Sequence, residues 1–391
     1  MTLRIAVDLS SVATRGTRVY AAGFLRALAA LRPTDTIQVI VPPGLIEQIE
    51  LPADHPFQIE ELPAAASRTS RVVWQLFGIR TMLQRMEADV LFAALGLAPL
   101  FPPCPVLLAV RDPSPHLDTG QNYSRRIKAE NVLRAALVRR ASDRAAKVLF
   151  PSHEAARAVG DALRVPAGQR VVVYHGCDHA LWSAAAIDEM VLQRYGLERQ
   201  PFLLFVSQLY RQKHPDTLIA GFAEWIRRSG DTRHQLVFAG KPEEPDFARS
   251  LTAMARRLGL EARVKFLGLV PHGELPTLYQ RAAAFVLPTS METFGHPFVE
   301  AMAAGAPTVA ADTPIAREIC EDAAMYFPVK DAAALAGCLE RVVADDGVRE
   351  RMIAAGRARA REFSWEREAR ETLALLRDIG AAKRGIVTAW A

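Results

Sequence analysis

Short apolar runs alternate along the chain with longer stretches in which apolar residues recur at helical spacing. Leu3 to Leu9 reads as a buried strand ending in Asp8-Leu9-Ser10-Ser11. A loop carrying Gly16-Thr17-Arg18 follows it, and then a helix through Tyr20, Phe24, Leu25, Leu28 and Leu31. Further strands are predicted at Thr36–Val41, Val90–Phe92, Val106–Val110, Lys147–Phe150 and Val171–Tyr174, and Ser152 is the N-cap of the helix after Pro151. A second alternation starts at Phe202–Val206 and continues through Leu236–Ala239, Val264–Leu267, Ala283–Leu287 and Thr308–Ala310. Its helices are placed at Thr217–Arg228, Asp246–Leu258 and Glu274–Ala282. A strong helix runs from Trp365 to Ile379, and the tail from Gly380 to Ala391 reads as loosely ordered. Strands alternating with helices predict parallel sheets covered on both faces, so two such runs make two Rossmann-like domains.

Composition agrees with this organisation. A chain of 391 residues is long for one core, and 50% hydrophobic against 23% charged residues describes a globular protein. No apolar run reaches the roughly 18 residues of a membrane span, and the N-terminal residues turn polar at Asp8, too early for a signal peptide; a cytoplasmic location is expected. Cys104, Cys177, Cys320 and Cys338 are widely spaced and read as small buried residues, without a disulfide framework or metal-ligand pair.

The formal net charge is +5. Its distribution says more than its sum. Arg125, Arg126, Lys128, Arg134, Arg139, Arg140, Arg144 and Lys147 outnumber Glu130 and Asp143, and Arg68, Arg71, Arg80 and Arg85 flank an apolar stretch around Trp74, Leu76 and Phe77. Such segments fit an anionic membrane surface, although a solvated helix face over a packed side is the favoured reading. Nucleic acid is not indicated, because no recognition motif accompanies the charge.

The most informative stretch is Pro288 to Gly305. A strand ends at Pro288, a loop carries Glu292, Thr293, Phe294, Gly295 and His296, and Pro297 suits the start of a helix on which Glu300 lies about one turn in. Open α/β sheets bind ligands at the carboxyl ends of their strands. Backbone N–H groups at a helix start favour a diphosphate, and carboxylates accept hydrogen bonds from sugar hydroxyls. A single Glu could be an ordinary first-turn acid; the whole string points to a nucleotide sugar. A plain dinucleotide-dependent enzyme is disfavoured, since no Gly-x-Gly-x-x-Gly follows the first strand.

The string Glu-Thr-Phe-Gly-His-Pro-Phe-Val-Glu-Ala-Met, with Gly176-Cys177-Asp178, Val206-Ser207-Gln208-Leu209 before Lys213, Phe266-Leu267-Gly268, Leu278-Tyr279 and Phe363-Ser364-Trp365, resembles the retaining glycosyltransferases of glycosyltransferase family 4. The resemblance implies an α/β chain of GT-B fold, with two Rossmann-like domains facing a central cleft. It places an acceptor-binding domain at 1–185, a donor-binding domain at 186–365, and a helix at 366–391 that returns to the first domain. It implies hexosyl transfer, mannose slightly preferred, from a nucleoside diphosphate sugar to a saccharide or lipid-linked saccharide acceptor. No cofactor or metal is expected.

By the same resemblance Glu300 holds the donor ribose, and Glu292, Thr293, Phe294, Gly295, His296 and Pro297 surround the sugar and phosphates. Lys213 neutralises the diphosphate. Val270 lies at the base, and Gly16 and Thr17 lie near the phosphates. Two positions depart from the family pattern. Gln208 stands where an Arg is usual, with Arg211 as a substitute, and Arg111-Asp112 stands for the usual His-Asp. Arg111 is therefore either a catalytic contact or half of an ion pair, and His116 is another polar group nearby. These departures keep open a catalytically degenerate binding protein; a GT-B epimerase or phosphorylase also shares the fold.

Overall fold

The computed structural model describes residues 2–62, 72–113, 116–117, 125–183 and 186–385. Arg68, Arg71 and residues 386–391 lie outside them. Among the described residues the chain forms two compact units, one of 2–176 with 364–385 and the other Cys177–Phe363. The chain passes between them at Gly176/Cys177 and at Phe363/Ser364, where the sequence reading set 185/186 and 365/366.

The first unit holds the strands β1 (Arg4–Asp8), β2 (Thr36–Val41), β3 (Phe57–Glu61), β4 (Val90–Ala93), β5 (Val106–Ala109), β6 (Lys147–Phe150) and β7 (Arg170–Val172). They form a parallel sheet in the order β3-β2-β1-β4-β5-β6-β7. Successive strand residues face opposite sides. Ile5 and Val7 accordingly pack with Tyr20, Phe24 and Leu28 of the helix Arg15–Ala30 and with Leu373 and Leu376 of the helix Trp365–Lys383. Ala6, Leu91 and Leu108 pack on the other side with Ile79, Leu83, Val138 and Val159. Fully burying a side chain such as Phe24 or Phe92 contributes about 1.5–3 kcal/mol.

The second unit holds β8 (Phe202–Val206), β9 (Gln235–Ala239), β10 (Val264–Gly268), β11 (Ala284–Leu287), β12 (Thr308–Ala311) and β13 (Ala324–Phe327), in the parallel order β10-β9-β8-β11-β12-β13. Every residue of β8, β9, β11 and β12 is buried, which explains their largely apolar runs. The helix Pro215–Ser229 packs on Ala332–Ala344 so closely that a Cβ at Gly221 would stand 2.7 Å from Leu335.

The strands β3 and β13, both at sheet edges, were not anticipated: β3 is polar at three of its five positions, and β13 is a run of only four residues. Two expectations are corrected. Gly16-Thr17-Arg18 is not a loop but the first turn of Arg15–Ala30. Thr14 is its N-cap, and the Thr14 and Thr17 hydroxyls each accept the other's backbone N–H in a capping box. The last helix continues past Gly380 to Lys383, because Lys383 donates to Ala88 O and Arg384 pairs with Asp89.

Candidate functional site

The loops at the carboxyl ends of β8, β9 and β10 are stitched together. Leu209 N donates to Lys241 O and Gly240 N to Gly268 O. A Cβ at Gly240 would lie 1.8 Å from Ser207 O, so only glycine permits this approach. After Leu209 the chain makes a single 3-10 turn, Arg211–Lys213, which brings Lys213 to the loop after β11. There the Lys213 ammonium is ion-paired with Glu292, and both side chains are only 14% exposed. Ser290 N and Thr289 Oγ1 both donate to Gln212 O, and His214 Nε2 stands 2.8 Å from Ser290 Oγ. His214 has φ 47°, a left-handed conformation a non-glycine residue holds only when its surroundings enforce it. Burial pushes the His214 imidazole below its ordinary pKa, against the opposing pull of Asp216.

The loop ends at Gly295, the N-cap of the helix His296–Ala304, with φ 84° and Pro297 in the first turn. A Cβ there would meet the Phe298 ring at 2.6 Å, so the position demands glycine twice over. Thr293 and Phe294 are buried beneath the loop, and Phe294 packs edge-on against Phe363 with ring centroids 5.5 Å apart. Glu300 lies one turn into the helix, half-buried, and accepts a hydrogen bond of 3.0 Å from the Tyr279 hydroxyl. Cys177 adjoins it; burial, with the Glu300 charge behind it, raises its thiol well above the ordinary range. Val270 is buried just after β10.

Lys213, Glu292, Thr293, Phe294, Gly295, His296, Pro297 and Glu300 thus gather around one strand-to-helix turn of the second unit. The other two expected cation-side residues are held elsewhere. Gln208 donates to Glu243 at 3.1 Å, and Arg211 pairs with Glu244 at 3.1 Å while lying over the Phe247 ring. Gly16 and Thr17 belong to the first unit, where the Thr17 hydroxyl serves its own helix cap.

Arg111, also in the first unit, follows β5 and enters a buried polar cluster. Its guanidinium lies 3.4 Å above the Tyr20 ring and 3.7 Å from Glu368, an acid on the last helix that is 1% exposed. Glu368 also accepts the Gly176 N–H at 2.8 Å and stands 3.1 Å from His175 Nδ1. Burial, reinforced by the Arg111 charge, keeps His175 well below its ordinary pKa. Asp112 pairs instead with Arg134, and burial holds His116 down at about 4. Of these partners only Tyr279 was legible beforehand, as part of the Leu278-Tyr279 motif. Glu368, Glu243 and Glu244 carry no local signal, since each meets its partner through the tertiary fold.

Residues 191–359 match the family described as Glycosyl transferases group 1. The chain is 31% identical over 184 residues to the O-antigen chain mannosyltransferase B of Escherichia coli, covering 47% of each. It is 35% identical over 190 residues to the D-inositol 3-phosphate glycosyltransferase of Frankia alni, covering 46% of each. The chain therefore spans about half the length of the relatives it matches in sequence. In structure it is similar to Anabaena HepE, solved with UDP and glucose, at a TM-score of 0.74 and 20% identity, over 96% of this chain and 100% of that one. It is also similar to WaaG, a glycosyltransferase involved in lipopolysaccharide biosynthesis, at 0.69 and 16%, over 95% and 99%. With two parallel α/β sheets and these neighbours, the chain has the GT-B fold, and its residues 191–359 match the Glycosyl transferases group 1 model.

Proposed function

We propose that this chain transfers a hexosyl group, mannose being favoured, from a nucleoside diphosphate sugar to a saccharide or lipid-linked saccharide acceptor with retention and without a metal, as a member of glycosyltransferase family 4. The observation that carries the reading is the juxtaposition of Lys213 with Glu292 beside the glycine-started helix on which Glu300 lies one turn in. The name of the Escherichia coli relative supports the preference for mannose and a role in polysaccharide assembly.

The demanding event in such a transfer is departure of the diphosphate while positive charge grows on the sugar ring. A cation and a helix start aimed at the leaving oxygens stabilise that charge separation without reorganising. Lys213 exchanges its Glu292 partner for phosphate oxygens when donor binds. Glu292 is then released toward the sugar hydroxyls, and Glu300 takes the ribose. The departing phosphate accepts the acceptor's proton, so no further base is required.

Thermal-shift titration with GDP-, UDP-, ADP- and dTDP-linked sugars tests donor binding; saturation at about 100 times Kd stabilises by roughly 2.7 kcal/mol. Lys213→Ala and Glu300→Ala each abolish turnover in folded protein. Full activity in both variants overturns the assignment. The ties of Gln208 to Glu243 and of Arg211 to Glu244 favour one second reading, a donor-binding protein without turnover. A nucleotide-sugar thermal shift without sugar transfer to any acceptor establishes it.

An anionic membrane surface, on the cytoplasmic face, is proposed as a further partner. Among the described residues no helix is long and apolar enough to cross a membrane. The first unit exposes Phe77 beside the helix Ile79–Arg85, Phe101 under the Arg144 guanidinium, and Val132 and Leu133 on the basic helix Arg125–Ser142. Flotation with anionic liposomes that high salt abolishes supports this partner, and no flotation at low salt refutes it.

A further inference from the structure

Glu300 does not stand alone in its helix. The Tyr279 side chain, wholly buried, reaches from the helix Leu275–Arg281 and donates its hydroxyl to Glu300 Oε2 at 3.0 Å. The ring that carries this hydroxyl is fixed on two sides. Trp182 meets it edge-on at 5.6 Å between centroids, and Phe285 of β11 at 5.3 Å. Phe285 in turn touches Phe298, two residues before Glu300 on the same helix. A hydroxyl on so constrained a ring has little freedom, so the bond fixes one oxygen of the carboxylate and with it the plane of the group. Burial, together with the Glu300 charge, raises the Tyr279 phenol well above its ordinary range, so it remains a proton donor throughout the working pH range.

We propose that Tyr279 is a positioning residue for donor ribose recognition: its hydroxyl aims the Glu300 carboxylate at the ribose hydroxyl pair. This deepens the proposed function and rests on Glu300 being the ribose subsite. A rotamer-mobile Glu300 would lose entropy on closing onto a diol, whereas a pre-aimed one has already lost it in the folded chain. Tyr279 thus acts on the sugar of the nucleotide and not on its base or phosphates. Tyr279→Phe keeps the ring, its aromatic contacts and the fold, and removes only the donated hydrogen bond.

The test is calorimetric titration of GDP, UDP and ADP, each against its 2′,3′-dideoxy counterpart, with wild type, Tyr279→Phe and Glu300→Ala, fold being checked by circular dichroism. Wild type is expected to favour the ribonucleotide by tenfold or more. Tyr279→Phe is expected to weaken the ribonucleotide about tenfold and to leave the dideoxy form unchanged, so that most of the preference disappears. Loss of the preference in Glu300→Ala but full retention in Tyr279→Phe overturns the positioning role and leaves the ribose subsite standing. Equal weakening of both forms by Tyr279→Phe also overturns it, since that is the signature of a merely structural contact. No ribose preference in wild type, for any of GDP, UDP and ADP against its dideoxy counterpart, overturns the ribose subsite and the proposal with it.

Discussion

Removing the Glu368 carboxylate should cost the first unit more than any surface acid could. Glu368 is 1% exposed and Arg111 only 13%, so the 3.7 Å between them is poorly screened. With an effective dielectric of about 20, two unit charges at that distance attract by about 4 kcal/mol. Glu368 also accepts the Gly176 N–H at 2.8 Å, and a hydrogen bond to a charged acceptor contributes about 1.5–3 kcal/mol. These gains are offset by the desolvation of both charges, so their sum is not the net value of the pair. The cost of breaking it is better defined, because Arg111 then keeps its charge in a site only 13% exposed after losing the Glu368 carboxylate, and such losses run to about 3–5 kcal/mol.

Glu368→Ala is therefore expected to lower the opening free energy of the helix Trp365–Lys383 by about 3–5 kcal/mol, and Arg111→Met that of the same helix by about 2–4 kcal/mol. The double variant should cost less than the sum by about 1–3 kcal/mol, because it removes both charges of the pair together. Unfolding of a chain with two units need not be two-state, so the assay is native-state hydrogen exchange read by mass spectrometry on peptides of 365–383 and 15–30. Additive costs in the double variant, or a loss under about 1 kcal/mol in Glu368→Ala, would show that the cluster is screened or rearranged and refute the reasoning.

Three shorter predictions follow from the same geometry. Burial holds His175 well below the ordinary histidine pKa in the folded chain, so the unfolded state binds the proton first; its contribution is intact above about pH 6.5 and lost as pH falls from there toward the depressed folded value. The slope of Tm between pH 7 and pH 5 should accordingly flatten in His175→Gln, and an unchanged slope would acquit this residue. Gly295→Ala places a Cβ 2.6 Å from the Phe298 ring in a left-handed backbone, costs the second unit about 1–3 kcal/mol and weakens donor binding, both readable by thermal shift with and without nucleotide sugar. His214→Gly relieves the φ of 47° but loses the contact with Ser290 Oγ, so Tm should stay near wild type while the KM for donor rises; a fall of many degrees in Tm would mean the histidine is held by packing rather than by strain.

Where an element buries itself on both faces, its sequence shows it. β8, β9, β11 and β12 are central strands whose every residue is inside, and apart from the opening Gln235 and Thr308 they are apolar throughout. Of the edge strands, β7 and β10 were legible, whereas β3 spells Phe-Gln-Ile-Glu-Glu, mostly polar, and β13 is an apolar run of only four residues, Ala-Met-Tyr-Phe, too short to tell from a helix segment. The donor-type loop was legible for a different reason. Glycine at 295 is dictated by φ and by the Phe298 ring, and proline at 297 by the helix start, so the local backbone writes its own letters. Charge partners write none. Gln208, Arg211 and Arg111 were all recognisable as positions of interest, yet what each one does depends on Glu243, Glu244 and Glu368, whose distance along the chain hides them.

The same distinction explains why Phe363-Ser364-Trp365 belongs with the loop motif although it lies far from it in sequence. Cys177 N donates to Phe363 O, so the first and last residues of the second unit are joined to each other. From that junction Phe363 packs on Phe294 of the loop, while Cys177 adjoins Glu300 on the helix the loop begins. One residue further along each crossing segment, in the first unit, Gly176 lies against the Trp365 backbone, where a Cβ would stand 2.3 Å from its nitrogen, and Ser364 caps the last helix by accepting from Arg367 N. Each residue of the triplet thus has a separate physical duty: Phe363 supports the loop, Ser364 starts the helix, and Trp365 leaves room for nothing larger than glycine at 176. Substituting Phe363 should for this reason disturb the loop around Gly295, whereas substituting Trp365 should disturb the Glu368 cluster, although the two residues are separated only by Ser364.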